Sequence, residues 1–313
     1  MMQPLLMRLR QRRPDAEIQV LAPAWSAPLL RRMPEVAGVI ENPFPHGTFD
    51  WAGRKALGRR LANADFAEAY VLPNSWKSAL VPFFAGIPRR IGYRGEARYV
   101  LLNERFPLDK VAVPRLVDRY AALAGIFPDP TPNPRLTSTP EQQAAARAIL
   151  GLPAAARPVI FCPGAEYGPA KRWPAHHFAA LARRLASTDF PVWVLGSAKD
   201  APVGDAIAQQ AAGAALNLCG KTNLEQAIDL LAGARCVVTN DSGLMHVAAA
   251  VGVPLVALYG SSSPGYTPPL SAHAKILTLG LACSPCFKRE CPLGHLRCLE
   301  DIAPEQVVAA LPN

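Results

Sequence analysis

The sequence contains no apolar run that approaches the roughly 18 residues needed for a membrane-spanning helix. Its first residues lead from two methionines into Arg8, Arg10, Arg12 and Arg13, without the apolar centre of a signal peptide. No helix-turn-helix, aromatic RNA-binding sheet motif or zinc finger is evident, so nucleic acid ranks low as a partner. We therefore expect a cytoplasmic protein, either free in the cytoplasm or peripheral on the inner face of the cytoplasmic membrane.

The positive charge of the chain is concentrated in its first half. The 313 residues carry a net charge of +9, and residues 1–150 hold 21 Lys and Arg against 13 Asp and Glu. The remaining residues are close to neutral. This imbalance indicates that an anionic partner meets the first half.

The pattern of apolar segments predicts an α/β protein with two domains. Short strands alternate with amphipathic helices on both sides of a proline-rich stretch, residues 126–140. We assign residues 1–135 to an N-terminal acceptor-binding domain and residues 136–313 to a C-terminal donor-binding domain. Two Rossmann-like halves facing across a cleft are expected, with ligands at the carboxyl ends of the strands.

Residues 237–246 (VVTNDSGLMH) form the most informative stretch. A β-branched pair ends a strand, a polar turn follows, and a helix begins near Leu244. Asp241 or Ser242 is placed to cap this helix, and Gly243 would let a ligand approach the backbone. The first amides of such a helix favour an anion such as a diphosphate, although an ordinary capped helix would give the same pattern.

Other predicted strand ends supply similar small and polar loops, at residues 164–171, 196–197 and 260–263. Lys171 adds a positive charge that can neutralise a diphosphate. The alternative is that Lys171 and Arg172 are simply a solvated basic pair. Taken together, the loops predict a nucleotide-diphosphate site.

In the first half, polar and basic residues follow one predicted strand and surround the next. Guanidinium groups pair well with phosphates and carboxylates, so this set could hold an anionic acceptor. A surface charge run is the alternative. The candidate residues are Asn74, Ser75, Lys77, Arg90, Arg94 and Arg98.

Four motifs resemble those of the heptosyltransferase II members of glycosyltransferase family 9, which use ADP-heptose and lipopolysaccharide. They occupy residues 72–88, 162–174, 196–200 and 239–246, and the likeness extends over essentially the whole chain. The resemblance implies a GT-B fold. It also implies inverting transfer of L-glycero-D-manno-heptose from ADP-heptose to heptose I of the lipopolysaccharide inner core, without a catalytic metal.

The resemblance further implies roles for individual residues. Lys171, Asp241, Ser242, Gly243 and His246 would hold the diphosphate and sugar of the donor. The adenosine would be bordered by Gly196, Ser197, Thr222, Leu224 and Glu225.

One departure from the family pattern concerns catalysis. Family members begin with a short apolar strand and a Gly-Asp loop whose Asp is the expected general base, whereas this sequence begins at the following helix. The catalytic residue is therefore unassigned, and we expect weak or absent transfer by the chain as written. Adding the upstream strand and loop is expected to restore transfer.

Three alternatives stay open at this point. The chain could bind a nucleotide sugar without turnover, transfer heptose to another acceptor, or act as a GT-B epimerase or a transferase for another sugar. Titration with ADP-heptose followed by a transfer assay separates them.

Four of the seven cysteines, Cys283, Cys286, Cys291 and Cys298, fall within sixteen residues. Cytoplasmic thiols are normally reduced, and C-x2-C spacing suits a structural zinc. The overall spacing matches no common zinc finger, so an iron–sulfur cluster, free thiols or an adventitious disulfide are the alternatives.

Overall fold

The computed structural model describes residues 1–187 and 190–312. The chain forms two compact units. The first contains residues 1–24 and 35–132, and the second contains residues 25–34 together with the chain from residue 133 onward. A short segment from the first third of the sequence thus packs with the second unit.

The first unit is a parallel α/β structure whose described strands fall into two sheets. One sheet pairs β1 (Gln19–Ala22) with β2 (Gly38–Glu41), and the other has the order β3 (Glu68–Val71), β4 (Arg89–Tyr93) and β5 (Glu104–Phe106). The helices of this unit are α1 (Gln3–Arg12), α3 (Trp51–Leu61), α4 (Leu80–Phe84) and α5 (Leu116–Ala122).

The second unit is built on a parallel sheet of the order β11-β10-β9-β6-β7-β8 in the described residues. Its strands are β6 (Val159–Cys162), β7 (Val192–Val194), β8 (Ala215–Asn217), β9 (Cys236–Asn240), β10 (Leu255–Leu258) and β11 (Ala274–Leu277). Its helices are α2 (Ala27–Arg31), α6 (Pro140–Ile149), α7 (Ala175–Leu185), α8 (Ala201–Gln210), α9 (Leu224–Ala232), α10 (Gly243–Ala250), α11 (Arg297–Glu300) and α12 (Pro304–Ala310).

The sheet of the second unit is buried on both faces. Alternate residues of its central strand β6 enter different cores: Val159 and Phe161 face one, and Ile160 and Cys162 face the other. Strands that are buried on both faces consist of nearly continuous apolar residues. For this reason β6, β9 and β10 could be predicted from the sequence. The chain leaves β6 towards β7 on one side, and β9 lies on the other, so the strand order reverses between β6 and β9.

The α/β class and most elements agree with the sequence prediction, within a few residues at the ends. β5, β8 and α11 were not predicted from the sequence, and each is only three or four residues long. Leu216 in β8 is exposed, and β8 lies at the sheet edge, so no apolar run marks it. None of the described helices combines the length and apolarity that crossing a membrane requires.

A buried ion pair joins residues 25–34 to the rest of the second unit. The Arg32 guanidinium lies 2.8 Å from the Asp229 carboxylate, and it also donates to the Thr137 carbonyl at 3.1 Å. Ser138 Oγ donates to the other Asp229 oxygen at 2.8 Å. Both charged side chains are at most 10% exposed, so each depends on the other for compensation of its charge.

We predict that Asp229→Ala lowers the free energy of unfolding by about 3–5 kcal/mol, because it leaves the Arg32 charge buried and unpaired. Chemical denaturation measures the change. The matched control is Glu305→Ala, which removes the partner of Arg184 in an exposed pair and should cost less than about 1 kcal/mol. Equal small losses in both variants would contradict the structural role of the Arg32–Asp229 pair.

Candidate functional site

The loops after β6 and β9 meet at the point where the strand order reverses. Lys171 Nζ, in the loop after β6, lies 2.5 Å from Asp241 Oδ2, directly after β9. Asp241 is almost fully buried and Lys171 is largely buried, with side chains 5% and 18% exposed. The structure therefore brings together two residues that the sequence placed 70 positions apart, at the edge where α/β sheets bind ligands.

Asn240, which the sequence analysis did not single out, fixes these two loops to each other. Its side chain accepts from the Trp173 backbone amide at 3.0 Å and donates to the Pro163 carbonyl at 2.7 Å. Asn240 is fully buried, so both bonds are shielded from water. Its position at the last residue of a strand, directly before Asp241, was the available signal.

Ser242 is the N-cap of α10, which resolves the choice left open by the sequence. Its Oγ accepts from the Met245 backbone amide at 3.4 Å, while the Asp241 carboxylate is engaged by Lys171. Gly243 opens the helix and is exposed, and a Cβ placed there would meet no protein atom within 4 Å. The start of α10 is thus open enough for an anion to approach its first amides, and anion binding there stays a prediction.

His246 lies in the first turn of α10, on the same helix as Ser242 and Gly243. Burial of the imidazole lowers the pKa of His246 to about 4. The side chain is therefore neutral at physiological pH, where it can exchange hydrogen bonds with sugar hydroxyls but adds no charge to the site.

Lys171 is also held by an aromatic neighbour. Its Nζ lies 5.3 Å from the centroid of the Tyr167 ring, and the Arg289 guanidinium lies at the same distance from that ring. Gly168 makes this packing possible, because a Cβ there would lie 2.4 Å from the Arg289 carbonyl oxygen. Arg289 and Tyr167 are further site neighbours that the sequence analysis did not identify.

The residues expected to border adenosine lie after β7 and at the start of α9. Gly196 is buried, whereas Ser197 is exposed and donates through its backbone amide and Oγ to the Asp200 carboxylate at 2.9 and 2.7 Å. Asn223 caps α9, placing Thr222 just outside the helix and Leu224 and Glu225 in its first turn. Glu225 also lies 4.0 Å from Arg31.

The candidate acceptor-binding residues differ in their exposure and in their hydrogen bonds to the protein. Arg98 is only 2% exposed, and its guanidinium donates to the Pro73 carbonyl at 2.6 Å and to Asn74 Oδ1 at 3.2 Å. Burial lowers the pKa of Arg98 below its ordinary value. Arg98 therefore positions the loop that carries Asn74, and the structure does not support direct contact between Arg98 and an acceptor.

Arg90 and Arg94 lie at and after β4, close in sequence to Arg98. Arg90 is partly buried and donates to the carbonyls of Leu101 and Ile87. Arg94 is exposed, as is Asn74, while Ser75 and Lys77 are half-buried. Arg94 is thus the best placed of the three arginines to meet a charged ligand.

The four clustered cysteines line one small cavity together with His295. Backbone amides, first that of Leu296, hold the pKa of Cys291 below its ordinary value, whereas burial raises that of Cys298. Within residues 1–187 and 190–312, the one group of three side chains close enough to share a metal contains no cysteine. The geometry therefore does not support the zinc prediction.

That group of three is His176, His177 and Glu300. His177 Nε2 lies 2.8 Å from the Glu300 carbonyl oxygen, which can only accept, so this nitrogen carries the proton. His176 Nε2 lies 3.2 Å from the Glu300 carboxylate. We interpret the cluster as a hydrogen-bonded link between α7 and α11.

Comparison with known proteins gives the family of the chain. The family model described as glycosyltransferase family 9 (heptosyltransferase) matches residues 54–297. Lipopolysaccharide heptosyltransferase 2 of Escherichia coli is 47% identical, over 99% of this chain and 93% of that protein. Lipooligosaccharide heptosyltransferase 2 of Haemophilus influenzae is 49% identical, over 88% and 83%. The solved structure of E. coli ADP-heptose lipopolysaccharide heptosyltransferase II superposes with a TM-score of 0.88, at 45% identity over 99% and 92% of the two chains.

The superposition and the parallel sheets confirm the predicted GT-B fold class. The family match and the relatives confirm that the chain is a glycosyltransferase. The chain belongs to glycosyltransferase family 9, the heptosyltransferase family.

We predict that His246 makes the protein less stable in mild acid. Because the folded-state pKa of His246 is lowered to about 4, its contribution to stability is present above about pH 6.5 and is lost as the pH falls from there towards 4. The melting temperature of His246→Gln should therefore fall less than that of the wild type between neutral pH and mild acid.

His273→Gln, at an exposed position, is the control and should retain the wild-type pH dependence. If His246→Gln lost stability in acid as steeply as the wild type, the burial of this imidazole would not govern the acid response.

Proposed function

We propose that this protein is an inverting heptosyltransferase that moves L-glycero-D-manno-heptose from ADP-heptose onto heptose I of the lipopolysaccharide inner core. The observation that carries the proposal is the Lys171–Asp241 pair, held beside the open start of α10 at the reversal of strand order. In this assignment the second unit binds the donor and the first unit binds the acceptor.

The donor site supplies charge where the reaction needs it. Cleavage of the bond between heptose and diphosphate leaves negative charge on ADP, and a positive group aimed at that charge stabilises the transition state. Lys171 and the first amides of α10 offer such stabilisation, and we assign no metal to this step. Asp241 holds the Lys171 ammonium group in position through their ion pair. A bound diphosphate would contact the same ammonium group.

The neutral imidazole of His246 suits the sugar rather than the diphosphate, because a hydrogen bond to a hydroxyl needs no charge. Ser197, Thr222, Leu224 and Glu225 are proposed to border the adenosine. The general base that accepts the proton of the acceptor hydroxyl is not assigned to any residue of this chain.

The alternatives are less well supported. A nucleotide-sugar-binding protein without turnover would share the donor site, and a transferase for another acceptor would share both units. The two curated relatives described above each carry the name heptosyltransferase 2 and align with at least 83% of their own length. We therefore retain heptose transfer to the inner core, at the inner surface of the cytoplasmic membrane, as the proposed activity.

The direct test combines binding and turnover. The protein is titrated with ADP-heptose and then incubated with an acceptor that ends in heptose I, and ADP release and the mass of the acceptor are measured. The proposal predicts an acceptor heavier by one heptose. Donor binding without any transfer would favour the binding protein instead.

We predict that Lys171→Ala weakens ADP binding by about 10- to 100-fold, because a charge-assisted hydrogen bond to the diphosphate is worth roughly 1.5–3 kcal/mol. Isothermal titration calorimetry measures the affinity. Lys275→Ala removes an equal charge at an exposed position on β11 and should leave binding unchanged. Unchanged ADP affinity in Lys171→Ala would exclude Lys171 from the diphosphate site.

We predict that Arg94→Glu raises the apparent KM for the acceptor while ADP affinity stays constant, because the exposed guanidinium belongs to the acceptor side. The effect should shrink at high salt, which screens exposed charges. Arg157→Glu, an exposed charge reversal in the second unit, is the control. A loss of ADP binding in Arg94→Glu would place this residue with the donor.

A further inference from the structure

Three aromatic rings of the first unit form a partly exposed cluster with nearly parallel planes, which we call the aromatic platform (Phe49, Trp51 and Trp76). Their centroids are 5.9–6.3 Å apart and their planes differ by only 16–26°. The Phe84 ring makes an edge contact with the Trp51 ring, with 5.1 Å between their centroids. Phe49 and Trp51 nevertheless remain 50% and 44% exposed.

The platform is held in place by a buried arginine. Arg54 is 6% exposed, and its guanidinium donates to the carbonyls of Phe49 at 2.6 Å, Thr48 at 3.2 Å and Lys77 at 3.3 Å. The same group lies 4.2 Å from the centroid of the Phe44 ring. These contacts tie the loop before α3 to the turn that carries Trp76, so the exposure of the rings is fixed by the fold.

Positive charge predominates around the platform, although Asp50 lies between Phe49 and Trp51 and the Glu96 carboxylate accepts from the Trp76 backbone amide at 2.7 Å. Helix α3 begins with Trp51 and carries four basic residues and no acidic residue. Lys55 and Arg59 follow Trp51 at intervals of four, which places them along the same side of the helix. Lys55 Nζ lies 6.0 Å from the centroid of the Phe84 ring, and Arg59 is exposed.

We propose that the aromatic platform and the basic stripe of α3 (Lys55 and Arg59) dock the first unit onto an anionic lipid bilayer. Trp and Phe side chains partition into the interface between headgroups and acyl chains, and neighbouring Lys and Arg are attracted to anionic lipids. A second copy of this chain docked face to face would bring Lys55 and Arg59 of one α3 close to the same two residues of the other, and these like charges would repel. The charge therefore favours a lipid surface as the occupant.

This inference rests on the proposed function, because a lipopolysaccharide acceptor is anchored in a membrane. Docking through the platform would keep the acceptor-binding unit at the surface where the inner-core sugars emerge. The platform would then affect turnover on membrane-embedded acceptor and would leave ADP binding in the second unit unchanged.

The test is co-sedimentation with vesicles of phosphatidylethanolamine containing about one third phosphatidylglycerol. We expect Phe49→Ser combined with Trp51→Ser to lower the partition coefficient by at least about tenfold. Ile149→Ser combined with Leu216→Ser removes two exposed apolar side chains from the second unit and should bind like the wild type. Lys55→Glu combined with Arg59→Glu should abolish the preference for these vesicles over pure phosphatidylcholine.

Melting temperature and ADP affinity establish that each variant is folded. Transfer to a de-O-acylated, water-soluble acceptor should be equal in wild type and platform variants, so a failure of the proposed transferase activity is seen separately from a failure of docking. The inference is overturned if the platform and charge variants bind vesicles like the wild type, or if the wild type does not bind. It is also overturned if the platform variant instead loses self-association or binding to single-stranded DNA.

Discussion

The ion pair between Lys171 and Asp241 is the interaction on which the candidate site depends. A carboxylate that is 5% exposed needs a partner, and the nearest cation comes from a loop on the neighbouring strand. The pair therefore fixes the loop after β6 against the start of α10. Asn240 strengthens the same junction through hydrogen bonds to backbone groups of the Lys171 loop. A diphosphate bound here would meet a positive charge and helix amides that are already oriented, which limits the reorganisation that catalysis requires.

The sequence predicted the parts of this site that are local in the chain. The strand, turn and helix of residues 237–246 are read from apolar periodicity and capping chemistry, and the structure has them at Cys236–Asn240 and Gly243–Ala250. The sequence could not distinguish Asp241 from Ser242 as the cap, because both side chains suit an N-cap. Ser242 is the cap because Lys171, 70 residues away in the sequence, pairs with the Asp241 carboxylate.

The burial of Arg98 could not be predicted from the sequence. A basic residue in a run of arginines resembles a ligand-binding charge, but the fold buries this one and uses it to bond backbone carbonyls. Nothing local distinguishes Arg98 from Arg94, which is exposed. The cysteine motif gave a similar result: its four thiols line one small cavity, but they do not form a group with the geometry of a metal site in the described residues. The hydrogen bonds of Arg54 could not be predicted from the sequence either, because their acceptors are backbone carbonyl groups, which every residue has.

The central claim is that the Lys171–Asp241 pair marks the diphosphate site. A crystal structure of the protein with ADP tests it most directly. We predict that the β-phosphate lies at the start of α10, with Lys171 Nζ within hydrogen-bond distance of a phosphate oxygen. An ADP molecule bound elsewhere, with Lys171 paired only to Asp241, would contradict it.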